Sequence, residues 1–381
     1  MNRTPWWAGA ITVLLLWLPG HAACSAEAAA PDLQAGDAAS SGQTPTPEAA
    51  RLRDQERRRE MVERGLKYLV SIQKDGALGD SRPKAVTALF LLACLSGGHT
   101  LDDPVYGTAM QAAAGWLLKN SPQSFLGGTE EPSEDHALAA IACLELTGTG
   151  RNAERNLALY KKARAALEYS LQAQDKSSAS AYGGGWRPDD KTRSNDRVLT
   201  TWFLLEMGGA QLRDESVPKS STERAVEYVG SSQRTTPDAK PEEKGGFSVD
   251  AAGLTVRHVT GAGIFVYGLF GGEADGERVR LARNWLQAHP PRWQGPHFYA
   301  TQFFAARGLY HTRTDSPDDA FAPYFQRLVR VLHERQDADG SFPFPPGHGQ
   351  PVLSMGRGYS TALAILILNL DRGFLPLDGR R

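Results

Sequence analysis

The sequence predicts an all-α fold: an α6/α6 toroid, two concentric rings of six helices built from helix-hairpin repeats. Three observations predict it. A short segment recurs six times along the chain. The helix that ends in each copy is apolar on one face only. The helix that follows is apolar all round. Helices of the second kind must be buried on every side, and an outer ring of the first kind can bury them. An open solenoid of helix pairs is the alternative arrangement.

The chain has 381 residues and a formal net charge of −1. Its start reads as an export signal, residues 1–24: Arg3, an apolar run from Ala8 to Leu18, the break Pro19-Gly20, and small residues Ala22-Ala23. The run is shorter than the roughly 20 residues that span a bilayer. Cys24 stands where a bacterial lipoprotein is acylated, but His21 departs from the aliphatic residue usual upstream. A secreted or periplasmic form is therefore favoured over a lipid-anchored one, and contact with a membrane is expected only through a lipid on Cys24. Residues 25–45 are rich in Ala, Ser, Pro, Thr and Gly and have little to bury, so they read as a flexible linker. The toroid is expected over 46–381, opening with Thr46-Pro47-Glu48 as N-cap, first helical position and first-turn acid.

The recurring segments are Lys67–Gln73, Gly115–Ser121, Glu168–Gln174, Glu227–Gln233, Asn284–Pro290 and Arg330–Gln336. Five have Tyr or Trp in the second place and four end in Gln. Each closes an amphipathic helix: Val62, Leu66, Leu69 and Val70 share one face in the first repeat, and Leu159, Ala163, Ala166, Leu167 and Leu171 in the third. Glycine turns follow most of them, at Asp75-Gly76, Gly127-Gly128, Gly183-Gly184-Gly185-Trp186, Gly245-Gly246-Phe247 and Asp339-Gly340-Ser341-Phe342. The second helices are runs such as Val86–Leu95 and Thr361–Leu368. Closure requires the first and sixth hairpins to touch. Cys94 and Cys143 occupy equivalent places on adjacent helices, about 8–10 Å apart, too far for a disulfide, which needs Cα atoms within about 7 Å.

This Gln–Gly–aromatic periodicity resembles the repeat of the terpenoid cyclase and protein prenyltransferase superfamily, and most of all exported bacterial proteins with prenyltransferase/squalene-oxidase repeats. The resemblance rests on Gly184-Gly185-Trp186-Arg187, Asp196 with Thr200-Thr201-Trp202, Tyr299-Ala300-Thr301-Gln302, Gly356–Leu363 and Leu375-Pro376-Leu377. It implies the toroid but departs from the family chemistries. Squalene cyclases protonate an alkene with an Asp-x-Asp-Asp cluster, and the corresponding stretch here is Ser194-Asn195-Asp196-Arg197. Arg197 is expected to lower the Asp196 pKa. Ala300 stands where the prenyltransferase zinc histidine would fall, and no cysteine follows Cys143. The Cys-Gly-Glu-Gln thioester of complement-like toroids is absent. No metal and no cofactor is implied.

In a toroid the inner helices run parallel, so their N-termini meet at one mouth. The polar residues at those starts are Lys84, Asp135, His136, Asp196, Arg197, Arg257, His258, His297, Tyr299, Arg357 and Tyr359. One reading makes this a cup for an anionic, lipid-like or protein ligand, with the arginines clamping it and Asp196, His136, His258 or Tyr299 moving protons. The other makes it capping, with Asp135 and Asp196 answered by the arginines across the mouth. The balanced charge, with no basic block beyond Arg57-Arg58-Arg59, argues against nucleic acid. Three functions follow in order of expectation. They are a recognition module without cyclase or zinc transferase activity, a terpenoid or lipid-like-ligand enzyme, and a carbohydrate-active toroid. The last would need two facing carboxylates, for which Asp135, Asp196 and the adjacent Glu134 are the candidates.

Overall fold

The computed structural model describes residues 47–79, 82–121, 123–128, 132–177, 183–237, 239–249, 257–270, 276–295, 297–314, 319–346 and 356–375. The export segment, Cys24 and the linker lie outside these residues. Among the described residues there are twelve α-helices, one 3₁₀ turn at Leu370–Arg372 and no strand beyond isolated bridges.

The outer helices are α1 (Pro47–Ser71), α3 (Gly107–Lys119), α5 (Ala153–Ala173), α7 (Lys219–Gly230), α9 (Glu277–Ala288) and α11 (Phe321–His333). The inner helices are α2 (Pro83–Ser96), α4 (Pro132–Leu146), α6 (Arg197–Gln211), α8 (Arg257–Phe270), α10 (Phe298–His311) and α12 (Gly356–Leu368). Each inner helix packs on the next, and α12 packs on both α10 and α2, so the inner ring is closed. Every residue of α2 from Ala85 to Ser96 is buried, whereas α5 buries only Leu159, Ala163, Ala166, Leu167 and Ser170. Burial of a Leu or Phe on the inner ring contributes about 1.5–3 kcal/mol. Cys94 and Cys143 are buried and unbonded, as the spacing predicts.

The recurring Gln has a physical job. Gln174 Nε2 donates to Gly184 O in its own turn and to Ser221 O at the start of the next outer helix, both at 2.8 Å. Gln73, Gln233 and Gln336 repeat this with Gly76 and Ala109, Gly245 and Arg278, and Gly340 and Met61. The last of these runs from hairpin six to hairpin one. The glycine itself is required there: Gly340 has φ +90°, and a Cβ would lie 2.3 Å from Arg64 O of α1. A second seam bond joins Arg58 Nη1 to Asp371 Oδ1 at 2.7 Å.

The residue after each glycine turn also hangs on its inner helix. Leu78 N donates to Thr87 Oγ1 at 2.9 Å, Trp186 N to Thr200 Oγ1 at 3.2 Å, Phe247 N to Thr260 Oγ1 at 2.9 Å and Phe342 N to Thr361 Oγ1 at 3.0 Å. In hairpin two the equivalent bond runs from Leu126 N to His136 Nδ1 at 2.9 Å; Leu126 precedes Gly127-Gly128, so that pair is not the equivalent of the other glycine turns.

Candidate functional site

Asp196 is fixed from both sides. Its N–H donates to Trp186 O at 2.9 Å, which ties it to the glycine turn. Its side chain accepts from Leu199 N at 2.7 Å and caps α6. Glu134 leaves the first turn of α4. Its Oε2 lies 2.8 Å from Arg82 Nη1 and its Oε1 accepts from Tyr359 Oη at 3.2 Å. Arg82 is itself buried and also pairs with Asp135, Nε to Oδ1 at 2.9 Å, while its guanidinium stands 5.9 Å from the Tyr359 ring. Three inner-helix starts, those of α2, α4 and α12, are thereby tied into one network.

Glu134 and Asp196 open onto one cavity of about 310 Å³, which Pro188, Val198, Leu199, Trp202, His258, His297, Ala300 and Tyr359 complete. Lining residues come from α4, α6, α8, α10 and α12 at or near their N-terminal ends, so the inner helices do share a mouth. The volume lies within the usual range for small-ligand sites. His258 and His297 stand with ring centroids 5.8 Å apart. Burial, and then the neighbouring His297, hold His258 down to about 4, so it is neutral at ordinary pH. His297 stands at the N-cap position of α10, without a side-chain cap bond, in the left-handed conformation, φ +60°, a backbone state that non-glycine residues rarely take.

Burial raises the Asp196 pKa above the usual carboxylate range. The hydrogen bonds from Leu199 and Val198 and the charge of Arg197 pull against this without reversing it. The expectation that Arg197 lowers the Asp196 pKa is therefore overturned. In the structure its guanidinium turns away, donating to Val249 O and lying 5.0 Å from the Tyr228 ring. Distance and a competing acceptor weaken its hold on Asp196.

Of the remaining residues singled out from sequence, none lines the cavity, and most have other partners. Asp135 is 2% exposed and pairs with Arg82. Arg357 binds Asp337 and Ser341 Oγ. Tyr299 donates its hydroxyl to Pro343 O at 2.6 Å, and burial pushes its pKa up. Arg257 is half-buried at the start of α8, where burial and then Arg292 lower its pKa. Lys84 donates to Gly127 O at 2.7 Å. His136 is fully buried and burial holds it at about 3. With Nδ1 accepting from Leu126, its proton sits on Nε2, which reaches Ser170 Oγ at 2.9 Å. The arginine that answers Asp135 is Arg82, not Arg197, Arg257 or Arg357. No group of residues suited to hold a metal ion occurs among the described residues.

A second cavity, of about 350 Å³, lies where α2 and α4 end. Its carboxylate, Glu145, is already answered by Arg213 at 3.1 Å. Among the described residues no helix is long and apolar enough to cross a membrane.

No protein-family model matches the sequence, and no curated protein matches it. Solved structures resemble the fold. An inactive variant of an α-1,6-mannanase from a Salegentibacter species, in complex with α-1,6-mannotriose, superposes with a TM-score of 0.57 at 12% identity, over 83% of this chain and 98% of that one. A family 76 α-mannanase from Bacteroides thetaiotaomicron gives 0.55 at 11%, over 83% and 96%. A type II terpene cyclase variant from Scytonema, in complex with geranylgeranyl dihydroxybenzoate, gives 0.51 at 14%, over 84% and 99%. These likenesses establish the α/α toroid.

Proposed function

We propose that the toroid binds a saccharide at its mouth and that Glu134 and Asp196 act on a glycosidic bond there. The observation that carries the reading is that two carboxyl groups in unlike surroundings, on neighbouring inner helices, open onto one cavity. Asp196 is pushed toward its protonated form by burial, and Glu134 sits in an ion pair with Arg82. That is the division of labour glycoside hydrolysis asks for: a carboxylic acid to protonate the leaving oxygen, and a carboxylate to activate water or attack the anomeric carbon. Among the described residues no arginine lines the cavity, and His258 is neutral, so an uncharged polyhydroxylated ligand suits the wall better than an anion. The inactive Salegentibacter mannanase carries two consecutive Asp→Asn substitutions. This chain also has consecutive acids, Glu134-Asp135, although only Glu134 reaches the cavity.

A second reading takes the same cavity as a site for a terpenoid. It is favoured by the apolar stretch of Val198, Leu199, Trp202 and Ala300 next to a carboxyl held toward protonation. It places the acid at Asp196 alone and gives Glu134 no chemical part.

The test is release of reducing ends from α-1,6-mannotriose and a panel of other oligosaccharides. Glu134→Gln and Asp196→Asn are each expected to lower turnover by about 10²- to 10⁴-fold with helix content unchanged. Activity should fall as pH rises through the raised Asp196 pKa, because the acid form is then lost. A panel in which no sugar is bound or cleaved sinks the reading. Loss in Asp196→Asn with full activity in Glu134→Gln, on a terpenoid ester, selects the second.

A further inference from the structure

Trp202 lies in the second turn of α6 and is 1% exposed. Phe303 stacks on it with centroids 5.2 Å apart, and Phe304 meets it at 4.6 Å and 60°. The ring is therefore clamped in place, and it forms part of the wall of the mouth cavity beside Val198, Leu199 and Ala300. Its indole N–H finds no acceptor among the described residues.

The two other buried tryptophans among the described residues show how the fold satisfies this group. Trp186 Nε1 donates to Ser170 O at 2.8 Å, and Trp285 Nε1 to Glu242 O at 2.9 Å. Both satisfy a group that can only donate. Most buried polar groups are paired, and one that is not calls for an explanation. Trp202 is the one of the three that lines the mouth cavity.

We propose that Trp202 Nε1–H is the polar anchor of the mouth cavity, and that the ligand bound there presents an oxygen acceptor to it. The inference deepens the saccharide reading and rests on it for the choice of first ligand. Trp202 stands six residues after Asp196 on one helix, a rise of about 9 Å. A ligand meeting both is thus held at two points along the ring axis, at the carboxyl by the lip and at the indole further in. An oxygen-rich molecule that reaches the donor pairs it. A bare hydrocarbon chain leaves the donor dry and unpaired, which is how a site rejects an analogue lacking the matching group.

The experiment labels the tryptophan indoles of the full chain with ¹⁵N and follows the Nε1–H resonances. Two probes are used separately, α-1,6-mannotriose and geranylgeranyl dihydroxybenzoate. Trp202→Phe keeps the stacked ring, removes the donor and assigns the resonance. The expected result is that mannotriose shifts the Trp202 resonance and that Trp202→Phe weakens its binding about tenfold. The ligand-free variant should be at least as stable as the parent, because an unpaired donor has been removed. If mannotriose binds but the resonance stays still, or Trp202→Phe binds it equally well, the anchor is overturned while the saccharide reading stands. If mannotriose does not bind and the oxygenated terpenoid does, shifting the resonance, the saccharide reading falls and the anchor stands. If neither probe shifts the resonance, the anchor is overturned. Should Trp202→Phe not fold, the parent spectrum decides alone, with the Trp202 resonance assigned by eliminating the other seven tryptophans through single Trp→Phe variants.

Discussion

Glu206, on α6, is fully buried, and among the described residues its one side-chain hydrogen bond comes from Ser170 Oγ at 2.8 Å. Ser170 Oγ is also bonded to His136, so carboxyl, hydroxyl and imidazole form a chain through the wall between α4, α5 and α6. Burial raises the Glu206 pKa to about 8, with Ser170 pulling weakly the other way, and holds His136 at about 3. The signs are opposite. Between about pH 4.5 and 8 the folded protein holds a proton on Glu206 that the unfolded chain has released, so stability falls as pH rises. Between about pH 3 and 6.5 the unfolded chain protonates His136 and the folded protein does not, so stability rises with pH. The two cancel where they overlap, and above about pH 6.5 Glu206 acts without His136, removing about 1.4 kcal/mol per pH unit. Glu206→Gln should flatten that limb in urea melts at pH 6.5, 7.25 and 8. A variant that loses stability as steeply as the parent would refute the assignment. Sequence alone did not point to Glu206, because it interrupts an apolar run with no partner at helical spacing; Ser170 lies 36 residues earlier.

At the scale of elements, four of the six junctions follow one rule: a Gln amide bridges two carbonyls, and a glycine lets the next outer helix come close. Gln336→Ala should cost about 1–2 kcal/mol for its two bonds. Gly340→Ala should cost more, since it combines a left-handed backbone with a Cβ 2.3 Å from Arg64 O. Denaturant midpoints for the two variants would check the order, and a Gly340→Ala protein as stable as its parent would overturn it. This rule was legible in the sequence because it repeats: Gln73, Gln174, Gln233 and Gln336 mark it, as do the glycines that follow. His136 was harder to read. It holds the place that Thr87, Thr200, Thr260 and Thr361 hold elsewhere, accepting one turn N–H, and its imidazole looked like chemistry only because the equivalence of acceptors is a matter of geometry. Arg82 was missed for a related reason. Its partners lie 52 and 53 residues away on another hairpin, and no local pattern announces such a pair. Tyr359 reaches Glu134 from 225 residues further on.

For the whole molecule, the parallel inner ring follows from helices that are apolar on every side. The common mouth follows from that ring, and both were legible. Which polar side chains face the mouth was not, since each start offers two or three and rotamer and partner choose among them: Glu134 over Asp135, Asp196 over Arg197, His258 over Arg257. The closed seam has one more consequence. Hairpin six meets hairpin one through the same Gln–carbonyl and glycine contacts that join hairpin one to two, three to four and four to five, and Arg58 and Asp371 touch there. The ring therefore has no physically distinguished first repeat, and the order in which the hairpins are connected is a matter of genetics and not of packing. A circular permutant opened in the loop 212–218 and rejoined across the seam by a flexible peptide should fold to the same helix content, melt in one transition and keep the mouth's ligand affinity. Independent melting of two halves would show that covalent order, and not the ring, makes the protein one cooperative body.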